Sequence, residues 1–221
     1  TPETGEQKPP TTLLSVLQLA VKATNATVEP GILINMANSN SLRLLRPKER
    51  LNQLRLVSLW AVTVETIDPV FLQQLLGMLH SPEDEVVLCV LDIFAVLSPA
   101  MEKVDEYTAE YIYLYVMKAL RINSEKRRDI FNKILDSLVT FPFHKLSAET
   151  LDKLPFEIIQ LGGMQTVSAR VSIYTFLSSA VHFWKTVDLN MKVLALLLLT
   201  IGDESSTAAA EACRSTIALC Q

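Results

Sequence analysis

Phe71-Leu72-Gln73-Gln74-Leu75-Leu76-Gly77-Met78-Leu79-His80-Ser81-Pro82-Glu83-Asp84-Glu85-Val86-Val87 reads as one helix, a turn and the opening of a second helix. Leu72, Leu75, Leu76 and Leu79 recur at three and four, the spacing that lines one face of a helix. Asp68-Pro69 just upstream supplies a capping carboxylate and a proline whose φ suits the first helical position. Ser81-Pro82 repeats the device, and Glu83, Asp84 and Glu85 then place three carboxylates at the positive end of the next helix. That second helix is expected from Pro82 to about Leu97. It is apolar nearly all round, with Glu85 and Asp92 sharing one narrow face, the pattern of a helix gripped by neighbours on both sides.

The same grammar extends in both directions. Thr1–Pro10 is polar and proline-bearing, a disordered lead-in. Thr11 or Thr12 caps a helix to about Thr24 with Leu13, Val16, Leu17, Ala20 and Val21 on one face. A shorter helix follows over Pro30–Met36, then a loop at Ala37–Ser41, then a helix opened by Pro47 and carrying Leu51, Leu54, Val57 and Ala61. Downstream, helices are expected over Val104–Leu120, over Ser124–Phe141 with Ser124 as cap and Pro142 as stop, and over Ser147–Leu161 with an interruption at Pro155. Gly162-Gly163 breaks the chain before helices over Val167–Trp184, Asp188–Ile201 and Ser205–Cys220. At Ser172–Phe176 a strand competes, because Val171, Ile173 and Thr175 are β-branched.

These helices repeat. Second members of successive pairs begin near residues 82, 124, 166 and 205, spacings of 42, 42 and 39, close to the ~40–47 residues of stacked helical-pair repeats. Pairs near 30–65, 68–98, 104–141, 147–185 and 188–220 predict an all-α chain with one α-solenoid domain over 11–221 and five to six repeats. One hairpin cannot bury both its faces, whereas a stack of hairpins shares one core. The 71–87 stretch resembles the core of a HEAT repeat: a leucine-rich first helix, a Pro/Asp turn, then an acidic residue and valine opening the second helix. The resemblance implies a right-handed superhelical stack of the HEAT/armadillo kind, whose curved surface binds peptides, subunits or nucleic acid. It departs from the family where an arginine often follows that valine: here the residue is Val87. The Asp–Arg ladder between repeats is therefore expected to be weak.

Composition excludes several classes. The chain is 49% hydrophobic but only 7% aromatic, and its mean hydropathy is +0.27. Its most apolar run, Val193–Ile201, falls far short of the ~20 residues a membrane span needs; it reads as a helix buried on several sides. Cys89, Cys213 and Cys220 form no disulfide framework, because Cys213 and Cys220 lie about 10.5 Å apart on a common helix. Free cysteines and a polar start point to an intracellular protein of nucleus or cytoplasm, not a secreted one. A start without methionine and an end inside a helical pattern point to a segment of a longer protein.

No reaction centre is visible. His80, His144 and His182 are far apart, and no metal-binding, nucleophile or phosphate-loop motif occurs. The expectation is no catalytic or metal residue, no cofactor and no small-molecule substrate. Charge is more informative. Arg43, Arg46, Lys48, Arg50 and Arg55 form one basic block, and Lys118, Arg121, Lys126, Arg127, Arg128 and Lys133 another; between them Leu56–Glu102 holds seven acids and no Lys or Arg. Stacked repeats would display a basic–acidic–basic surface. Lys126-Arg127-Arg128 falls in a first helical turn, where positive charge opposes the dipole; it is either an ordinary solvated face with Glu125 and Asp129 as local partners or a binding patch for an acidic peptide, a subunit or nucleic-acid backbone. Tyr107, Tyr111 and Tyr115 form a stripe that is either core packing with rim hydroxyls or an aromatic binding surface. The functional expectation is a non-catalytic protein–protein interaction scaffold within a larger complex. The alternative, contact with nucleic-acid backbone through both basic blocks, is opposed by a net charge of −4.

Overall fold

The computed structural model describes residues 13–24, 27–124, 127–163 and 166–220. Among them every regular element is helical. In chain order these are α1 (Leu13–Ala23), α2 (Pro30–Met36), α3 (Ser39–Leu44), α4 (Pro47–Ala61), α5 (Pro69–Met78), α6 (Asp84–Met101), α7 (Glu106–Asn123) and α8 (Arg128–Ser137). Then come α9 (Ala148–Gly163), α10 (Val167–Ser179), α11 (Val181–Thr186), α12 (Asn190–Thr200) and α13 (Ser206–Cys220). Ser172–Phe176 lies inside α10, so the β-branched run is helical. The lead-in at Thr1–Pro10 lies outside the described residues.

Successive helices pack in twos, α2 with α4, α5 with α6, α7 with α8, α9 with α10 and α12 with α13. α4, α6, α8, α10 and α13 are the second members, starting at residues 47, 84, 128, 167 and 206. They pack in succession: α4 on α6, α6 on α8, α8 on α10 and α10 on α13. Of the first members, α2 packs on α5, α5 on α7 and α9 on α12. A polar seam joins α7 to α9: Tyr113 donates to Glu157 at 2.5 Å, and the Ser147 hydroxyl donates to Glu110 at 2.7 Å. The core between the rows is continuous and apolar. It includes Leu54, Leu75, Phe94, Phe131 and Trp184, all fully buried, each contributing roughly 1.5–3 kcal/mol through removal from water. Within it Phe141 stacks on Phe143 with ring centroids 5.6 Å apart, Phe94 packs tilted against Phe141 at 5.2 Å, and Tyr113 meets Phe143 edge-on at 5.7 Å. Pro142 turns the chain there and sends both flanking phenylalanines inward.

Several boundaries differ from expectation, each for a local reason. Ala37–Ser41 is not a loop: the Asn38 carboxamide accepts from the backbone N–H groups of Asn40 and Ser41 and so starts α3. α6 begins at Asp84 rather than Pro82, and the Ser81 hydroxyl accepts from Glu83 N–H in the turn before it. Ser124 does not cap α8. It ends α7, donating back to the Arg121 carbonyl, and α8 opens only at Arg128. Pro155 does not interrupt α9, which runs through it and through Gly162 to Gly163. Packing of Leu154 and Ile158 outweighs the one backbone bond a proline removes. The expected Val167–Trp184 helix breaks at Ala180 into α10 and α11, and Trp184 donates to the Leu177 carbonyl at 2.9 Å across the break.

Two apolar faces are more open than expected. On α1, Val16 and Leu17 are exposed, and the helix meets α4 partly through Gln18, whose amide donates to the Ser58 carbonyl at 3.1 Å. On α12 only Val193 and Leu197 are buried, while Leu198 and Leu199 are exposed. The reading of Val193–Ile201 as buried on several sides is therefore corrected: α9, α11 and α13 cover part of its circumference. Among the described residues, no helix is long and apolar enough to cross a membrane.

Candidate functional site

The turn between α5 and α6 is held from both sides by arginines of the two neighbouring pairs. Arg50 of α4 donates to the Leu42 carbonyl at 2.9 Å and the Leu45 carbonyl at 3.1 Å, and its guanidinium pairs with Glu83. From the other side Arg127 donates to the Ser81 carbonyl at 2.8 Å and pairs with Asp84. A third bridge, Arg170 to Asp203, joins α10 to the turn before α13 at 2.7 and 3.1 Å. Arginines therefore do bridge neighbouring helical pairs, though not from the position after Val86. Val87 is fully buried, and the arginines that bridge the pairs come from other positions.

This changes the standing of the predicted basic residues. Arg50 and Arg127 are largely buried cross-braces, not free surface cations. Lys126 lies outside the described residues. Arg128 is exposed at the first position of α8, beside Asp129. Arg46 is exposed and sits 3.8 Å from Glu49, while Arg121 lies 3.9 Å from Glu157 and Lys133 3.8 Å from Asp92. Lys118 and Arg43 remain exposed. The basic–acidic–basic surface is therefore partly neutralised by pairing between its own blocks.

A groove of about 710 Å³ opens beside the braced turn. α5 contributes Gln73, Gln74, Gly77 and Met78 to it; α3 contributes Leu42 and Arg43; α7 contributes Tyr115; the turn adds His80, Ser81 and Pro82. His80 is held flat against Tyr115, with ring centroids 5.5 Å apart and planes 8° from parallel, and its Nε2 lies 3.1 Å from the Tyr115 carbonyl. Since that carbonyl can only accept, Nε2 carries the proton. Tyr111 packs against Tyr115 at 4.9 Å, whose hydroxyl, with burial behind it, pushes the Tyr111 phenol up to about 12. Tyr107 continues the stripe at 82% exposure. The fold thus brings Arg43, Arg50 and Tyr115 to one groove, with Tyr111 packed behind Tyr115, and leaves Tyr107, Arg121 and Arg128 outside its lining.

The sequence pattern assigns no role to His80, Gln73 or Gly77. A helical glycine with no turn to serve was the signal available. Also missed was the node at Asp203, whose side chain is only 8% exposed. Burial works to raise its carboxyl, but the Ser205 amide, the Arg170 guanidinium and the Tyr174 hydroxyl together hold it below the ordinary range. Burial and the bond to Asp203 push Tyr174 up to about 12.

Among the described residues no three His, Cys, Asp or Glu side chains converge as metal ligands. His144 faces Glu102 at 3.2 Å on the surface. Burial and the nearby Asp92 push the Cys89 thiol up to about 11, leaving it protonated and weakly nucleophilic. What the groove offers chemically is recognition: flat rings, amides, one helix backbone and a cation. No family model matches the chain, and no curated protein or solved structure matches it at a significant level.

Proposed function

We propose that the chain is a right-handed superhelical α-solenoid of HEAT/armadillo-like hairpins and serves as a non-catalytic interaction scaffold within a larger intracellular complex. It binds a partner subunit or peptide on the face formed by α3, α5 and α7. The observation that carries this reading is the groove itself: an open recess lined by recognition chemistry, walled by helices of three successive pairs. Support for the stack comes from helices that pack on their neighbours in chain order and from the arginines that brace successive pairs. Such a framework is rigid where it is braced and presents a long surface, which suits binding more than turnover.

Nucleic-acid binding is the weaker reading, because Arg50 and Arg127 are engaged internally and counterion release needs several free cations along one track. Co-purification from the native source tests the scaffold reading. A stoichiometric protein partner is the expected result; recovery of the chain alone, or with nucleic acid that salt displaces, is the contrary one.

A further inference from the structure

The groove's lining narrows what occupies it, on the footing of the scaffold reading above. Gly77 lies exposed in the last turn of α5, on the groove floor. Its φ is not positive, and a Cβ placed on it meets nothing within 4 Å. Glycine is the poorest helix former after proline, so local stability favours almost any other residue here. The consequence of the missing side chain is a floor that is bare helix backbone, open to close approach by another chain.

The walls are chemically opposite. On the α3 side stands Arg43, exposed, whose guanidinium makes no hydrogen bond or ion pair among the described residues. The other charges of the lining, Arg50 and Glu83, satisfy each other. On the α7 side stands Tyr115, fixed by His80 and backed by Tyr111. We propose that the groove takes an extended acidic segment of a partner protein, lying along α5 over Gly77 with a carboxylate on Arg43 and an aromatic or apolar side chain against Tyr115. A planar guanidinium engages a carboxylate through two parallel bonds, and a flat phenol ring takes an apolar side chain with little loss of side-chain freedom. One uncommitted cation suits a single carboxylate and not a run of phosphates.

Fluorescence anisotropy with a labelled random copolymer of glutamate and tyrosine tests this at low salt, with a lysine–tyrosine copolymer and single-stranded oligothymidine alongside. The acidic copolymer binds and the basic one does not. Arg43→Glu weakens binding roughly tenfold or more, as for the loss of a central anchor, and Arg43→Lys less. Gly77→Leu fills the floor and abolishes binding while helicity and melting temperature are kept or raised. The proposal is overturned if the acidic copolymer fails to bind, if both variants bind as well as the parent chain, or if oligothymidine binds more tightly and responds to the same substitutions. Recovery of a native partner equally well by Gly77→Leu would overturn the groove's role and leave the scaffold reading standing; recovery of no partner at all would fell that reading instead.

Discussion

α6 and α12 are written in nearly the same alphabet and held in different ways. Asp84–Met101 and Asn190–Thr200 are both rich in Leu and Val, and neither shows a wide polar face. Yet nine residues of α6 are buried, against Val193 and Leu197 in α12. α6 has α4 on one flank, α8 on the other and α5 on a third side. α12 leans on α9, α11 and α13 and presents Leu198 and Leu199, the latter 80% exposed, to its surroundings. What fixes α12 is polar and lies near its ends: Lys192 bonds Asp152 of α9 at 2.5 Å, and the node of Asp203, Arg170 and Tyr174 sits just beyond its last turn. Apolar composition announces that a helix has sticky faces. It does not say how many of them the fold covers.

The contrast can be broken by substitution, beginning with the largest effect. Phe94→Ala, in the middle of α6 and fully buried, is expected to cost about 3–5 kcal/mol in denaturant unfolding, since it removes a ring from a packed aromatic cluster. A loss under about 1 kcal/mol would mean that α6 is less tightly gripped than described. Asp203→Ala comes next, at about 3 kcal/mol, because it removes the carboxylate paired with a largely buried guanidinium.

The same node sets a pH dependence that α6 lacks. Asp203 titrates lower in the folded chain than in the unfolded one, so its contribution is present above about pH 4 and is lost as pH falls through the folded value. Tyr174 is displaced upward, so its contribution holds below about pH 10 and is lost as pH rises towards about 12. Amide exchange should therefore quicken first in α10, α12 and α13 at both extremes, with α6 still protected. Asp203→Asn should remove the acid limb.

Smaller effects sharpen the picture. Arg127→Ala removes a brace whose partner Asp84 is half exposed, and about 1–2 kcal/mol is expected, read as a lower denaturant midpoint. Leu199→Ser should stay within about 0.5 kcal/mol; a loss of 2 or more would mean that α12 is covered after all. Thiol labelling at neutral pH separates the regions again. Cys220, exposed on α13, should react readily, and Cys89 within α6 only on unfolding.

How much of this was legible beforehand follows from the kind of signal each feature leaves. Asp68-Pro69 and Pro47 are punctuation that acts within a few residues, and both helices start where they mark. At Pro82 and Ser124 the same kind of punctuation misplaced the starts by a few residues, which fall at Asp84 and Arg128. Asn38 was misjudged because a capping asparagine and a loop asparagine look alike until the next turn forms. Arg127 reads locally as one of a basic run, and its bracing role leaves no local mark. The role of Arg127 depends on Ser81 and Asp84, more than forty residues away, and no local pattern carries that distance. The groove is the same case: Arg43 and Tyr115 were singled out separately, but only the packing of α3, α5 and α7 brings them together.

Hydrogen exchange on the chain with and without its native partner tests the central claim most directly. Protection is expected to rise along α3, along α5 from Gln73 to Met78 and around Tyr111–Tyr115, with α12 unchanged. Protection confined to α12 and α13, with α5 exchanging as in the free chain, would contradict the account.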